Sequence, residues 1–179
     1  MARFVALLRG INVGGNKMVP MARLKALLER LGYTDVVTLL QSGNVVFGSR
    51  VRRTAQLEQS LEAAIEEEFG FQVSVLVRTH AELAAVVAAN PLPGAEKTPS
   101  QFLVTFLSGV PEPARLAELD AEAYRPDEFR AVGREIYARF PQGIGRSKLA
   151  VALGKARLGV TSTARNWSTV TKLVALSAE

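Results

Sequence analysis

The chain contains no cysteine. That excludes disulfides, thiolate nucleophiles and cysteine-bound metals together, and it fits a reducing, cytoplasmic compartment. Histidine is almost as scarce: His80 is the only one. A serine–histidine–aspartate triad would have to use that residue, which sits in a helix-capping segment among alanines. No cluster has zinc-ligand spacing, so no metal is expected. Aromatic residues make up 7% of the chain, with one tryptophan. An RNA-recognition sheet carries stacking rings on its central strands. Here "SGNVVF" places Asn44 and Val46 where those rings belong. No apolar run approaches the roughly 20 residues of a membrane span. The N-terminal "MARFVALLRGINVGG" lacks the long apolar region and small-residue cleavage site of a secretory signal. No membrane partner is expected.

What is present is a chain of 179 residues, 48% hydrophobic, with a net charge of +5. This is enough for one domain or two small ones with a real core. The charge is uneven. Residues 1–53 carry nine basic and two acidic side chains, and residues 146–179 carry six and one. Between them the balance reverses: 54–100 hold two basic and seven acidic, 101–145 five and seven. Basic ends admit anionic partners, although charged runs are equally the solvated faces of helices. The glutamates of 58–68 read as such a face.

Hydrophobic periodicity divides the chain into two similar halves. Strand 3–9, helix 20–32, strands 35–41 and 44–49, helix 54–70, strand 71–77 and helix 79–90 form the first. The last helix opens on a Thr79–Glu82 capping box. The polar, proline-rich segment 91–100 reads as a linker. Strand 101–109, helix 112–124, strands 128–133 and 135–141, helix 145–159, strand 160–163 and helix 164–178 repeat the order. This predicts an α+β fold: two tandem ferredoxin-like βαββαβ repeats, each with an extra helix, occupying 1–90 and 101–179. Each repeat is expected to be an antiparallel sheet with helices on one face.

That topology places the loop after strand one beside the turn between strands two and three. The candidate ligand residues of the first half are Arg9, Asn12, Gly14, Gly15, Asn16 and Lys17 in the loop, with Gln41, Ser42 and Asn44 at the turn. Glycines let backbone N–H groups converge on an anion, and the following helix offers its positive end. The same glycines also suit a tight loop by adopting positive φ. "GINVGGNKM" is neither a Walker A loop nor a dinucleotide fingerprint, because its lysine is displaced by one and no G-x-G-x-x-G occurs. In the second half, "QGIGRSK" puts Arg146, Ser147 and Lys148 at a helix start. "TSTARN" puts Thr163 at an N-cap, with Arg165 and Asn166 in the first turn. Cations there oppose the helix dipole, which an anion would relieve. Trp167 reads as core.

The segments "LRGINVGGNKMVPMARLKALLERLGY", "TLLQSGNVVF", "GIGRSKLA" and "TSTARNWSTVTKL" resemble the bacterial family known as domain of unknown function 1697, over the full length. Ser168 stands where members often have asparagine. The resemblance implies a two-part α+β fold of ferredoxin-like repeats. It implies no activity and no catalytic residue.

Three functions follow as expectations. The first is binding of a phosphate- or carboxylate-bearing small molecule, in one cleft formed where the first-half loops face the second-half loops. The second is nucleic-acid binding. The third is an oligomeric interaction protein without a ligand. Whether any reaction is catalysed, and with what cofactor, is not legible.

Overall fold

The computed structural model describes residues 1–178. It is a mixed α+β molecule with two four-stranded antiparallel sheets and six helices. The chain divides into two compact units, residues 1–85 with the C-terminal residues from 172 on, and residues 86–171. No helix among the described residues is long and apolar enough to cross a membrane.

The first sheet is built from β1 (Ala2–Leu8), β2 (Thr34–Leu39), β3 (Asn44–Ser49) and β4 (Val75–Thr79), in the order β2-β3-β1-β4. Helices α1 (Met21–Arg30) and α2 (Thr54–Phe69) cover one face. Phe4, Ala6, Leu8, Val45, Phe47, Val75 and Val77 meet Leu24, Leu27, Leu28, Leu57, Leu61 and Ile65 there. Period two in the strands and period 3.6 in the helices produce that partition. Residues on the opposite face, Val5, Leu7 and Val46, are equally buried. Helix α3 (His80–Ala88) follows β4. Its capping box forms as expected: Thr79 N–H donates to Glu82 Oε2 at 2.8 Å, and Glu82 N–H to Thr79 Oγ1 at 3.1 Å.

The second sheet uses β5 (Phe102–Leu107), β6 (Glu128–Val132), β7 (Glu135–Arg139) and β8 (Ser162–Asn166) in the order β6-β7-β5-β8. Each sheet thus has its second, third, first and fourth strands side by side. Helix α4 (Pro113–Leu116) leads toward β6, α5 (Lys148–Lys155) follows β7, and α6 (Trp167–Ser177) follows β8. Phe129, Ile136, Ala138, Phe140, Leu149, Leu153 and Leu158 form its core with Leu107.

Three segments depart from the sequence expectation, for identifiable reasons. The strand expected over 71–77 is β4 at Val75–Thr79, because β1 ends at Leu8, which pairs with Val75. Residues before Val75 have no strand to pair with. The helix expected over 112–124 is two short turns. Asp120 caps a separate 3-10 turn, Ala121–Tyr124, accepting from Glu122 N–H at 3.1 Å. The strand expected over 160–163 runs instead from Ser162 to Asn166, because β5 offers Val104 and Leu103 as partners to Arg165 and Asn166. Pairing with a central strand outweighs the local preference for a helix at 164–166.

The glutamates of α2 do more than face water. β4 is an edge strand, and its outward N–H groups recur every second residue, about 6.7 Å apart. Glu58 and Glu62, one helical turn apart and about 6 Å along the axis, match that spacing. Glu62 Oε1 accepts from Val75 N–H at 2.9 Å, and Glu58 Oε1 from Val77 N–H at 2.8 Å. Glu68 instead receives Arg23 at 3.2 Å and Arg30 at 2.8 Å. Charge-assisted bonds to backbone are worth roughly 1.5–3 kcal/mol when buried, less at these half-buried positions. Glu62→Ala is expected to lower unfolding stability by about 1–2 kcal/mol in urea titration, and Glu62→Gln to recover part of the loss. Equal stability of all three proteins would refute the edge contact.

Gly43, at φ 86°, closes the β2–β3 turn and accepts Leu8 N–H at 2.9 Å. A Cβ there would lie 2.7 Å from Ile11 Cδ1 and 2.8 Å from Leu8 Cβ. Gly14, also at positive φ, has nothing within 4 Å. Gly14→Ala is expected to cost about 1 kcal/mol for the left-handed backbone alone. Gly43→Ala adds overpacking and is expected to cost about 2–4 kcal/mol. Thermal unfolding of the two variants tests the order.

Candidate functional site

Where β1 ends, three segments converge. Leu8 N–H reaches Gly43 O at 2.9 Å, and Arg9 N–H reaches Ser74 O at 2.9 Å. The loop from Gly10 to Val19 is therefore tied to the β2–β3 turn on one side and to residues 72–74 on the other. Asn12, at φ 54°, fastens it. Its Oδ1 accepts Val19 N–H at 2.7 Å, while its Nδ2 donates to Val19 O at 3.0 Å and Gln41 O at 2.7 Å. Its amide works like a short piece of strand, with both Nδ2 protons committed to backbone carbonyls.

The two adjacent glycines have a local purpose. Val13 and Asn16 form an antiparallel bridge, with Asn16 N–H on Val13 O at 3.0 Å. Gly14 and Gly15 turn between them at φ 58° and 76°. Positive φ at both central residues is what a type I′ hairpin turn requires. Gly14 and Gly15 thus build a miniature hairpin whose tip is exposed, the tight-loop use of positive φ. Asn44 is fully buried, and its Nδ2 donates to Leu39 O at 2.8 Å and Ser42 Oγ at 3.1 Å, so it closes the turn. Gln41 and Ser42 remain exposed beside it.

Arg9 and Lys17 do come together. With Gly10 they line a cleft of about 600 Å³ completed by Gln59, Glu62, Ala63, Glu66, Gln72, Val73 and Ser74. Lys17 is held at φ 46°, an unusual backbone state for a lysine, and its Nζ donates to Gln72 O at 2.8 Å. Glu62 is committed to the β4 edge. Glu66, next along the same helix face, is exposed and takes only a long 3.4 Å contact from Gln72 Nε2. The cleft thus carries two cations and two carboxylates, of which Glu62 is bonded to the β4 edge, together with several amide or hydroxyl groups.

The wall formed by Gln59, Glu66 and residues 72–74 was missed in the sequence. The signal was available: a fourth strand antiparallel to the first must begin at the end where the first one finishes. Residues 72–74, just ahead of β4, belong beside Arg9 for that reason.

In the second unit, Arg146, Ser147 and Lys148 line a pocket of about 270 Å³ with Tyr124, Arg125 and Asp127. Helix α5 starts at Lys148, not at 145, with Ser147 as its N-cap. Ser147 Oγ accepts from Ala150 N–H at 2.9 Å and donates to Asp127 Oδ2 at 2.7 Å. Thr163 and Arg165 are elsewhere in kind. Thr163 is not an N-cap, and Arg165 is not in a helical first turn; both are buried in β8. Arg165 donates to Thr163 Oγ1 at 2.7 Å and Ala164 O at 2.9 Å, and burial pulls its guanidinium down to about 10. Asn166 is the cap, its Oδ1 accepting Thr169 N–H at 2.9 Å. Trp167 is buried, as expected. His80 faces Ser177 Oγ at 2.9 Å, and it is not among the residues lining these pockets.

The whole chain is similar in fold to a solved structure, that of the conserved bacterial protein SP0830 from Streptococcus pneumoniae. The TM-score is 0.77, the identity 23%, and 99% of each chain is covered. No curated protein matches the chain. Residues 1–137 match the family described as "Protein of unknown function (DUF1697)", so the resemblance expected over the full length holds for β1 through most of β7, and "GIGRSKLA" and "TSTARNWSTVTKL" lie beyond it. On that match, which spans well over half of its residues, the chain belongs to the DUF1697 family.

Proposed function

We propose that this protein binds a small polar molecule bearing a phosphate or carboxylate, and that the Arg9–Lys17 cleft of the first unit holds it. The observation that carries the reading is the joint placement of those two cations on one concave surface. The Lys17 ammonium has three donor protons, and Gln72 O takes one. Gln59 and Glu66 would meet a hydroxyl or amino group on the same molecule. Recognition of RNA across the first sheet has no support, since β1 and β3 are buried on both faces.

We further propose that the two units are duplicated ferredoxin-like repeats. The shared strand order supports this. So do matching bonds at the end of the first strand: Leu107 N–H reaches Arg134 O and Ser108 N–H reaches Thr161 O, as Leu8 and Arg9 reach Gly43 and Ser74. Buried Arg78 and Arg165 occupy the same rung, opposite Val5 and Val104, each one residue before a helix cap.

The ligand reading predicts a rise in melting temperature with inorganic phosphate, sugar phosphates or small carboxylic acids, by mass action on the folded state. Lys17→Ala is expected to weaken binding about 10- to 100-fold, the effect of losing one charge-assisted bond of roughly 1.5–3 kcal/mol. Lys17→Gly relieves the backbone and is expected to stay within about 1 kcal/mol of the parent in stability while losing the same affinity. A flat thermal response across the panel, or unchanged affinity in Lys17→Ala, would overturn the reading.

A further inference from the structure

A second concentration of positive charge lies in the first unit, away from that cleft. Between β3 and α2 the chain reads Arg50-Val51-Arg52-Arg53. Val51 packs against the hydrophobic core, while the three arginines are exposed. None takes part in the ion pairs formed among the described residues. Arg53 occupies the N-cap of α2 without a side-chain capping bond, and the first turn of α2 has no acidic residue. Three like charges within four residues, at the positive end of a 16-residue helix, oppose one another and the helix dipole. Stability alone gives no reason for that arrangement.

Its position is set by the sheet. Ser49 pairs with Ala2 at the start of β1, whereas Arg9 follows the other end. The strand between them has seven residues, about 20 Å of extended chain. The arginine segment is therefore separate from the Arg9–Lys17 cleft, and no pocket-lining residue is shared.

We propose that Arg50, Arg52 and Arg53 form a docking surface for the phosphate backbone of a nucleic acid. Guanidinium groups pair with phosphate oxygens in a two-pronged geometry that lysine lacks, and all three cations here are arginines. Arg50 and Arg52 are separated by at most about 7 Å of backbone, an interval comparable to that between successive phosphates of a strand. The surface has no exposed aromatic residue to stack on bases, and the large exposed hydrophobics of the chain include none. The contact is thus independent of sequence, made to charge and spacing alone. The same lack of an aromatic anchor disfavours a lipid surface, which is recognised by clusters of about four to eight cations, more than the three here.

The test is fluorescence anisotropy with labelled duplex DNA and single-stranded RNA between 50 and 200 mM salt. Three released counterions make the log–log salt slope for duplex steeper by roughly 2.7 than in the Arg50→Gln/Arg52→Gln/Arg53→Gln variant. Across that fourfold salt range the parent is expected to lose about 40-fold more affinity than the variant, by the same relation. Should the triple variant unfold, Arg50→Gln alone, farthest from the helix, reads the same effect as a slope change of roughly 0.9. Lys17→Ala is expected to leave nucleic-acid binding unchanged, which separates this surface from the small-molecule cleft. The proposal is overturned by absence of binding at 50 mM salt, or by an identical slope in parent and variant. It is also overturned if the arginines are required for binding phosphatidylserine vesicles and not for binding nucleic acid.

Discussion

Strand β1 is hydrogen-bonded on both sides, to β3 and to β4, and most of the first unit follows from where that double pairing stops. Its last rungs join Leu7 to Asn44 and Leu8 to Val75. Beyond them, single bonds from Leu8 and Arg9 hold the β2–β3 turn and the approach to β4 at one level. Buried backbone groups must find partners, so these bonds are obligatory in a way that side-chain contacts are not. The loop leaving β1 is consequently fixed at both shoulders before any of its own residues act. Asn12 then completes the frame with its side-chain amide, and Lys17 is left positioned by a frame it did not build.

The architecture was largely legible because alternation in the strands and the helical spacing of leucines in α1 and α2 are strong local signals. Failures cluster where a partner strand overrode a local preference. "TSTARN" looks like a capped helix start, yet β5 extends pairing through Asn166. "FQVSVLV" looks like a strand from its first residue, yet nothing pairs with 71–73. Neither outcome can be read from the segment itself, since each depends on the length of a strand far away in sequence.

The candidate site shows the same division. Arg9 and Lys17 were recognisable from charge beside glycines, and they share a cleft. Asn12 and Asn44 carried the same polar signature, and their amides bond the backbone, while Gly14 and Gly15 form the turn between Val13 and Asn16. An amide that binds a ligand and one that closes a turn look alike in sequence. Only the count of bonds already made distinguishes them. The acidic face of α2 was misread for a related reason: solvated glutamates and glutamates spaced to meet a strand edge have identical periodicity.

That spacing has a consequence for how the unit behaves among copies of itself. A bare sheet edge is a template on which a strand from another molecule can grow. At β4 the outward N–H groups of Val75 and Val77 are already occupied by Glu62 and Glu58, and that of Thr79 by Glu82. At the opposite edge, the register of β2 is broken between Thr34 and Val37. Neither margin presents an uninterrupted row of donors and acceptors. The carboxylates of α2 therefore fill donor positions at the β4 margin that a further strand would need for pairing.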